Sequence, residues 1–321
     1  MINTAEKTHG SSPKRWAKPS RMKPSIKRVR GGKDIAEVTP DEDSTGWLAD
    51  AHKNLPGFKE MWNRFPDASW YLMIDDDTYI FMDHLDNFLS QFDPKLPHYL
   101  GAATIFTGCD EVHKLGDGPL FGHGGSGIVL SHGALEKIMS EGVMEECIDK
   151  YKSCFAGDIR LGLCLRDSGI LIRRVVPYVF NRDPPHSLYW YPDPCDRPIT
   201  FHHLLVAQIQ KLYDLEQKTK QNYPFTTFSE IFLDWIGDSD GEPVIGDRRG
   251  SDITSYSAET SDECREKCRI YSTCVSYTFS DGKCFLKSGI PVIRDETTTS
   301  ATTGYFSAKY ICASDKRKNY S

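Results

Sequence analysis

The chain has 321 residues, 39% of them hydrophobic and 12% aromatic, with a formal net charge of −6. That is enough apolar chain for one large domain or two smaller ones, and the negative balance argues against a nucleic-acid binder. No apolar run approaches membrane-span length, and the opening MINTAEKTHG lacks the apolar core of a signal peptide.

Residues 1–45 are polar, basic and aperiodic, and are expected to form a disordered arm or stem. Periodic sequence begins at Trp47. In NLPGFKEMWNRFPDAS, Phe58, Met61, Trp62 and Phe65 recur at helical spacing, with Pro56 in the first turn and Pro66 ending the helix. The strand WYLMI follows and runs straight into Asp75, Asp76 and Asp77. DHLDNFLSQF reads as a helix with Leu85, Phe88, Leu89 and Phe92 on one face and Asp83 as its N-cap. HYLGAA, GSGIVL and ILIRRVVPYVF read as strands; GALEKIMSEGVMEECIDKY and LLVAQIQKLYDLEQK read as helices. This alternation predicts a layered α/β domain over 46–236 with a largely parallel sheet, in which ligands bind at the carboxyl ends of strands. Segment 237–251, rich in Gly, Asp and Pro, reads as a linker. Short strands and turns beyond it mark a second, small domain over 252–313, followed by a tail, 314–321.

Ten cysteines, several closely spaced in the last quarter, indicate an oxidising compartment and hence the secretory pathway. A zinc site is the rival reading, but no paired Cys-x-x-Cys spacing or histidine pair accompanies them. Secretory chemistry without a targeting segment leads us to expect that an N-terminal part is missing.

The aspartate triplet poses the chemical question. Adjacent like charges repel unless they are solvated or a cation sits between them. In an extended segment Asp75 and Asp77 project to one side and can address one ligand, and hard oxygen donors at that spacing suit a divalent cation. Solvated loop charges are the plain alternative. Downstream, FGHGGSGIVL gathers Gly122, Gly124, Gly125 and Gly127 around His123 and Ser126, which allows a backbone to approach a ligand closely or simply makes a tight turn. TFHHLLVAQ places His202 and His203 at the expected start of a helix, where they could complete a metal site or serve packing and capping.

DASWYLMIDDDTYIFMDHL, HGGSGIVLS, CFAGDIRLGLCL and TFHHL, in that order between Gly46 and Gln217, resemble the family-31 glycosyltransferases, the Fringe and core-1 β1,3-galactosyltransferase branch and especially its fungal type. The resemblance implies a GT-A fold, a UDP-sugar donor, a glycan or glycoprotein acceptor, inversion at the transferred carbon, a β1,3 linkage and Mn2+. Asp77 matches the metal-binding aspartate, with Asp75 and Asp76 on the nucleotide side and Asp75 also available to the metal. His202 matches the metal-ligand histidine, His203 being the substitute if the register slips. Gly124, Gly125 and Ser126 fall on the donor-binding side. Asp158 matches the base that takes the acceptor proton; by itself the residue also reads as a helix N-cap. The core-1 pattern pairs Cys154 with Cys164. Trp190 and Tyr191, with Tyr189, are acceptor-side candidates or core aromatics. The family's first strand–helix units and membrane anchor have no counterpart ahead of the triplet, so the chain is expected to be a truncated form of a Golgi-lumen enzyme, attached to a membrane only through the missing anchor.

DECREKCRIYSTCVSYTFSDGKCFLK resembles a PAN/Apple module, which implies Cys264–Cys284 and Cys268–Cys274 bridges and a protein or carbohydrate ligand; Cys312 has no evident partner within it. Two further classes stay open. One is an inactive transferase-like scaffold that binds through the PAN module, and the other a phosphohydrolase, which would need more clustered ligands for two metals.

Overall fold

The computed structural model describes residues 50–105, 109, 120–175, 179–188, 192–236, 240–246, 252–289 and 300–312. The first domain opens with helix α1 (Asn54–Arg64), which buries Leu55 and Phe58. Phe65, expected on that face, lies just past the last helical residue and is exposed. Strands β1 (Trp70–Met73) and β2 (Tyr79–Ile80) flank the aspartate triplet, and helix α2 (Met82–Leu89) follows. The N-cap position of α2 is Phe81; Asp83 sits inside the first turn and pairs with Lys220 at 2.7 Å. Next come β3 (Tyr99–Gly101), β4 (Ala103–Ile105), β5 (Leu120–Gly122) and β6 (Ile128–Ser131). The single long helix expected after β6 is two, α3 (His132–Ile138) and α4 (Val143–Lys150). Gly142 separates them with a φ of 81°, in the left-handed region that stops a helix. Helix α5 (Gly157–Asp167), strands β7 (Ile172–Arg173) and β8 (Thr200–Phe201), and helices α6 (Val206–Lys220) and α7 (Phe228–Ile236) complete the domain.

The central sheet has the order β1-β6-β3-β7. Both pairings of β6 are antiparallel and only β3–β7 is parallel, so the sheet is mixed, not largely parallel. A strand covered on both faces reads as an unbroken apolar run whichever way it points, and β6 (IVLS) is buried throughout. Alternate side chains divide between two layers. Tyr71, Tyr99, Ile128 and Leu130 pack with α1, α3, α4 and α5, while Leu100 and Val129 pack with Leu85 and Leu89 of α2. The result is a mixed α/β sandwich with helices on both faces.

The second domain contains β9 (Val244–Ile245), β10 (Asp252–Ser257), helix α8 (Ser261–Ile270), β11 (Ser276–Ser280), β12 (Lys283–Lys287) and β13 (Thr302–Tyr305). These strands form one antiparallel sheet, β10-β12-β11-β13-β9. Val244–Ile245, in the segment read as a linker, is thus an edge of that sheet. Five disulfides use all ten cysteines. Cys264–Cys284 and Cys268–Cys274 tie α8 to the small sheet. The Cys154–Cys164 pairing is not formed: the bridges are Cys109–Cys154 and Cys147–Cys164. The reason is helical geometry. Cys164 faces α4 and the central core, whereas Cys154 packs with Ile159 and Leu163 on another side of α5. Cys312 pairs with Cys195 of the first domain.

Candidate functional site

The triplet leaves β1 in a turn, closed by the Thr78 amide donating to the Asp75 carbonyl at 3.2 Å. Immediately after it, β2 pairs with β8, setting Tyr79 opposite Phe201 and Ile80 opposite Thr200, and the Leu204 amide donates to the Asp77 carbonyl. This short ladder is what carries the two histidines to the aspartates. The histidines lie between β8 and α6, not at a helix start, because His203 has a φ of 58° and ends the extended run. Successive side chains of an extended strand point to opposite sides. The left-handed turn at His203 instead brings both imidazoles together, ring centroids 3.8 Å apart. Such a backbone costs of order 1 kcal/mol for a non-glycine residue and is characteristic of functional sites.

Asp77 is the hinge of the cluster. Its Oδ1 lies 3.0 Å from His202 Nε2 and its Oδ2 lies 3.7 Å from His203 Nδ1; Asp75 Oδ2 is 3.6 Å from His202 Nε2. One donor atom each from Asp77, His202 and His203 fall within 4.8 Å of one another, an arrangement able to hold a metal ion. The two histidines named as alternatives therefore sit in the same cluster. Burial resists charging His202, but the neighbouring carboxylates of Asp75 and Asp77 outweigh it, so its pKa is raised. The adjacent His202 imidazole in turn lowers the pKa of Asp75 against the effect of burial. Asp76 is exposed and lines the cleft without joining the cluster.

The glycine segment forms a short 3-10 turn, Gly124–Ser126, between β5 and β6. Two threonines that sequence reading did not single out tie it to the ladder. Thr78 Oγ1 donates to the Gly125 carbonyl and Thr200 Oγ1 to the Ser126 carbonyl, each at 2.6 Å. A Cβ placed on Gly125 would overlap the His202 imidazole, so the ring rests directly on this glycine. Gly125→Ala is accordingly expected to displace His202 and weaken divalent-cation binding at least tenfold while leaving the far-UV spectrum unchanged; calorimetric titration with Mn2+ checks it. Ser126 is fully buried and its hydroxyl donates to the His123 carbonyl at 2.9 Å, which turns it away from any ligand.

Asp158 approaches the same turn at Gly124, the residue before the one that carries the His202 ring. It lies in the first turn of α5, whose N-cap position is Ala156, so the capping alternative does not apply. Its Oδ2 accepts the Gly124 amide at 3.0 Å and its Oδ1 the Ile159 amide at 2.9 Å. Burial raises its pKa and nearby Asp75 adds to the rise, against the lowering by the amides of Gly124, Ile159 and Asp158 itself. Arg160, buried and also missed from sequence, holds the preceding loop by donating to the carbonyls of Cys154 and Lys152, each at 2.7 Å. Sequence offered no sign of it beyond a charged residue in an apolar helix. The Cys109–Cys154 bridge anchors the same loop.

Asp75–Asp77, His123, Gly124, Gly125, Asp158, His202 and His203 line one cleft of about 870 Å³, a volume suited to a small-molecule substrate. Trp190 and Tyr191 lie outside the described residues. Residues 45–175 match the family model described as Fringe-like. This part of the chain is a Fringe-like domain. It contributes the aspartate triplet, the glycine turn and Asp158, while the histidines reach the cleft from beyond its matched end. A Fringe-like domain implies glycosyltransferase activity on a nucleotide-sugar donor and a glycan acceptor, within the secretory pathway. The five disulfides fit that compartment. Among the described residues no helix is long and apolar enough to cross a membrane.

Proposed function

We propose that the chain is an inverting, Mn2+-dependent glycosyltransferase of GT-A type that moves a hexose or N-acetylhexosamine from a UDP-sugar to a glycan or glycoprotein hydroxyl, in β1,3 linkage, in the Golgi lumen. The observation that carries this reading is one cleft lined by both a half-buried carboxylate, Asp158, held by Gly124, and an Asp/His cluster resting on the next residue, Gly125. The mixed oxygen and imidazole donor set suits manganese better than magnesium. Asp77, His202 and His203 would hold the ion, with Asp75 beside them. A divalent cation there supplies positive charge against the diphosphate as UDP departs. Asp158 takes the proton of the attacking hydroxyl from the opposite side, and its raised pKa makes it a stronger base than an exposed carboxylate. The Gly124 amide orients it for that task. The helix with two cysteines stapled to a five-stranded antiparallel sheet supports a PAN/Apple-like second domain.

Calorimetric titration of UDP into the full chain tests the reading. Binding should require Mn2+ and weaken at least tenfold in Asp77→Asn; UDP binding indifferent to both EDTA and the substitution would sink it, as would a chain that releases UDP from no UDP-sugar. The pH dependence has a definite sign. His202 must be neutral to bind a metal, and its raised pKa keeps it protonated to higher pH than a free imidazole. Mn2+ affinity should thus be constant at alkaline pH and fall about tenfold per unit as pH drops below that pKa. Binding heats compared in two buffers of different ionisation enthalpy report the released proton.

A further inference from the structure

His123, which caps the glycine turn, lines the cleft but has no part in the proposed chemistry. Its Nδ1 receives the backbone amide of Ser126 at 3.3 Å. An amide N–H can only donate, so Nδ1 holds a lone pair and the neutral ring carries its proton on Nε2. Among the described residues no protein group accepts a hydrogen bond from that Nε2. The ring lines the cleft and stands edge-on to His202, centroids 5.4 Å apart. A hydrogen-bond donor is thereby fixed in orientation on a ring that lines the cleft beside His202.

The neighbouring residues say what that donor would meet. Gly124 donates to Asp158, and Gly125 lies beneath His202. In an inverting displacement the reacting carbon lies between the incoming hydroxyl, at Asp158, and the leaving diphosphate, at the Asp/His cluster. The transferred ring therefore passes over residues 123–125, two of which have no side chain. We infer that His123 is a specificity-determining residue, whose Nε2–H donates a hydrogen bond to a hydroxyl oxygen of the transferred sugar. The inference rests on the nucleotide-sugar reading above. The competing role is local: His123 holding the Ser126 amide and nothing more.

Two substitutions separate these roles. In His123→Asn the amide oxygen can still receive the Ser126 N–H, but nothing reaches the Nε2 position. In His123→Gln the amide nitrogen reaches that position and can donate, while the contact to Ser126 is lost. Dissociation constants for UDP and for UDP-glucose, UDP-galactose, UDP-N-acetylglucosamine and UDP-N-acetylgalactosamine are measured by calorimetry with Mn2+ on all three full-length proteins. UDP should bind them alike, within about twofold. The UDP-sugar bound best by the parent should bind about tenfold more weakly to His123→Asn and recover most of that loss in His123→Gln, because a buried substrate hydroxyl left without its donor loses affinity while the nucleotide does not. The inference is overturned if His123→Asn binds that UDP-sugar as the parent does, if UDP and the UDP-sugar weaken together, or if His123→Gln is the worse variant. A parent chain that binds neither UDP nor any UDP-sugar overturns the nucleotide-sugar reading itself, and the inference with it.

Discussion

Asp158→Asn is expected to slow sugar transfer by roughly 10²–10⁴-fold, the usual contribution of a positioned general base, while Mn2+-dependent UDP binding stays within a few fold of the parent. The side chain keeps its size and can still receive one of the two amides now donated by Gly124 and Ile159, so the loop survives. What it loses is the capacity to take a proton. Burial is the larger cause of the raised Asp158 pKa and persists when the site is loaded, whereas the contribution from Asp75 is cancelled by a bound cation. The parent's kcat should therefore fall tenfold per pH unit below a pKa that lies above the ordinary carboxylate range, and the variant's residual rate should lose that limb. Stability moves the other way. A carboxyl with a raised folded-state pKa binds its proton more tightly in the folded chain than in the unfolded one, so ionising it lowers stability as pH climbs through that pKa. A purely structural Asp158 would make the Asn variant slow and also less stable at neutral pH. Rates, pH profile and Tm measured together decide between the two, and an undiminished rate sinks the assignment outright.

The parts of the site that could be read from sequence are those whose chemistry is local. Three carboxylates at the end of an apolar strand, a glycine run ahead of another strand and an Asp in the first turn of a helix each announce themselves within a dozen residues. Their assembly was not legible in the same way. Residues 75–77 meet 202–203 through β2 and β8, each two residues long, too short for any alternation to declare itself. The left-handed backbone at His203 is uncommon for a non-glycine residue and no sequence pattern announces it, yet it is what lets both imidazoles join Asp77. Thr78 and Thr200 look like ordinary strand residues until each is seen donating to a carbonyl of the glycine turn.

The sheet and the bridges show the same limit. Apolar patterning says that a strand is buried, not which way it runs, and β6 therefore joined an expected parallel sheet although it lies antiparallel between β1 and β3. Cysteine spacing says that bridges exist, not their connectivity. Within the second domain the bridges are Cys264–Cys284 and Cys268–Cys274. Around α5 the choice depended on which way Cys154 and Cys164 face, a matter of packing that Cys109 and Cys147 then resolved.

Removing the second domain, by ending the chain after Ile236, is expected to cost the first domain its fold rather than leave a free transferase. Phe201, Leu212, Phe228, Ile231 and Phe232 of the first domain share one buried cluster with Val275, Tyr305 and Tyr310 of the second. Tyr310 packs edge-on against Phe232, with centroids 6.0 Å apart, and its hydroxyl donates to the Pro192 carbonyl at 2.8 Å. Truncation strips one side of that cluster and exposes large aromatic side chains, each worth about 1.5–3 kcal/mol when fully buried. It also removes Cys312 and so leaves Cys195, buried beside that cluster, without its disulfide partner. These losses rival the whole stability of an ordinary domain. They fall beside the site, since Tyr79 and Phe201 belong to this cluster and the chain runs directly from them to Asp77 and His202. A milder variant, Tyr310→Ala in the full chain, should lower stability by about 3–5 kcal/mol and weaken Mn2+ binding with it, although Tyr310 does not line the cleft. Size-exclusion chromatography, thermal melting and Mn2+ titration of both proteins supply the test. A truncated chain that is monodisperse, melts like the parent and binds Mn2+ unchanged would mean that the second domain is an independent appendage; the shared core predicts instead that the Asp/His cluster and the small disulfide-bonded sheet stand or fall together.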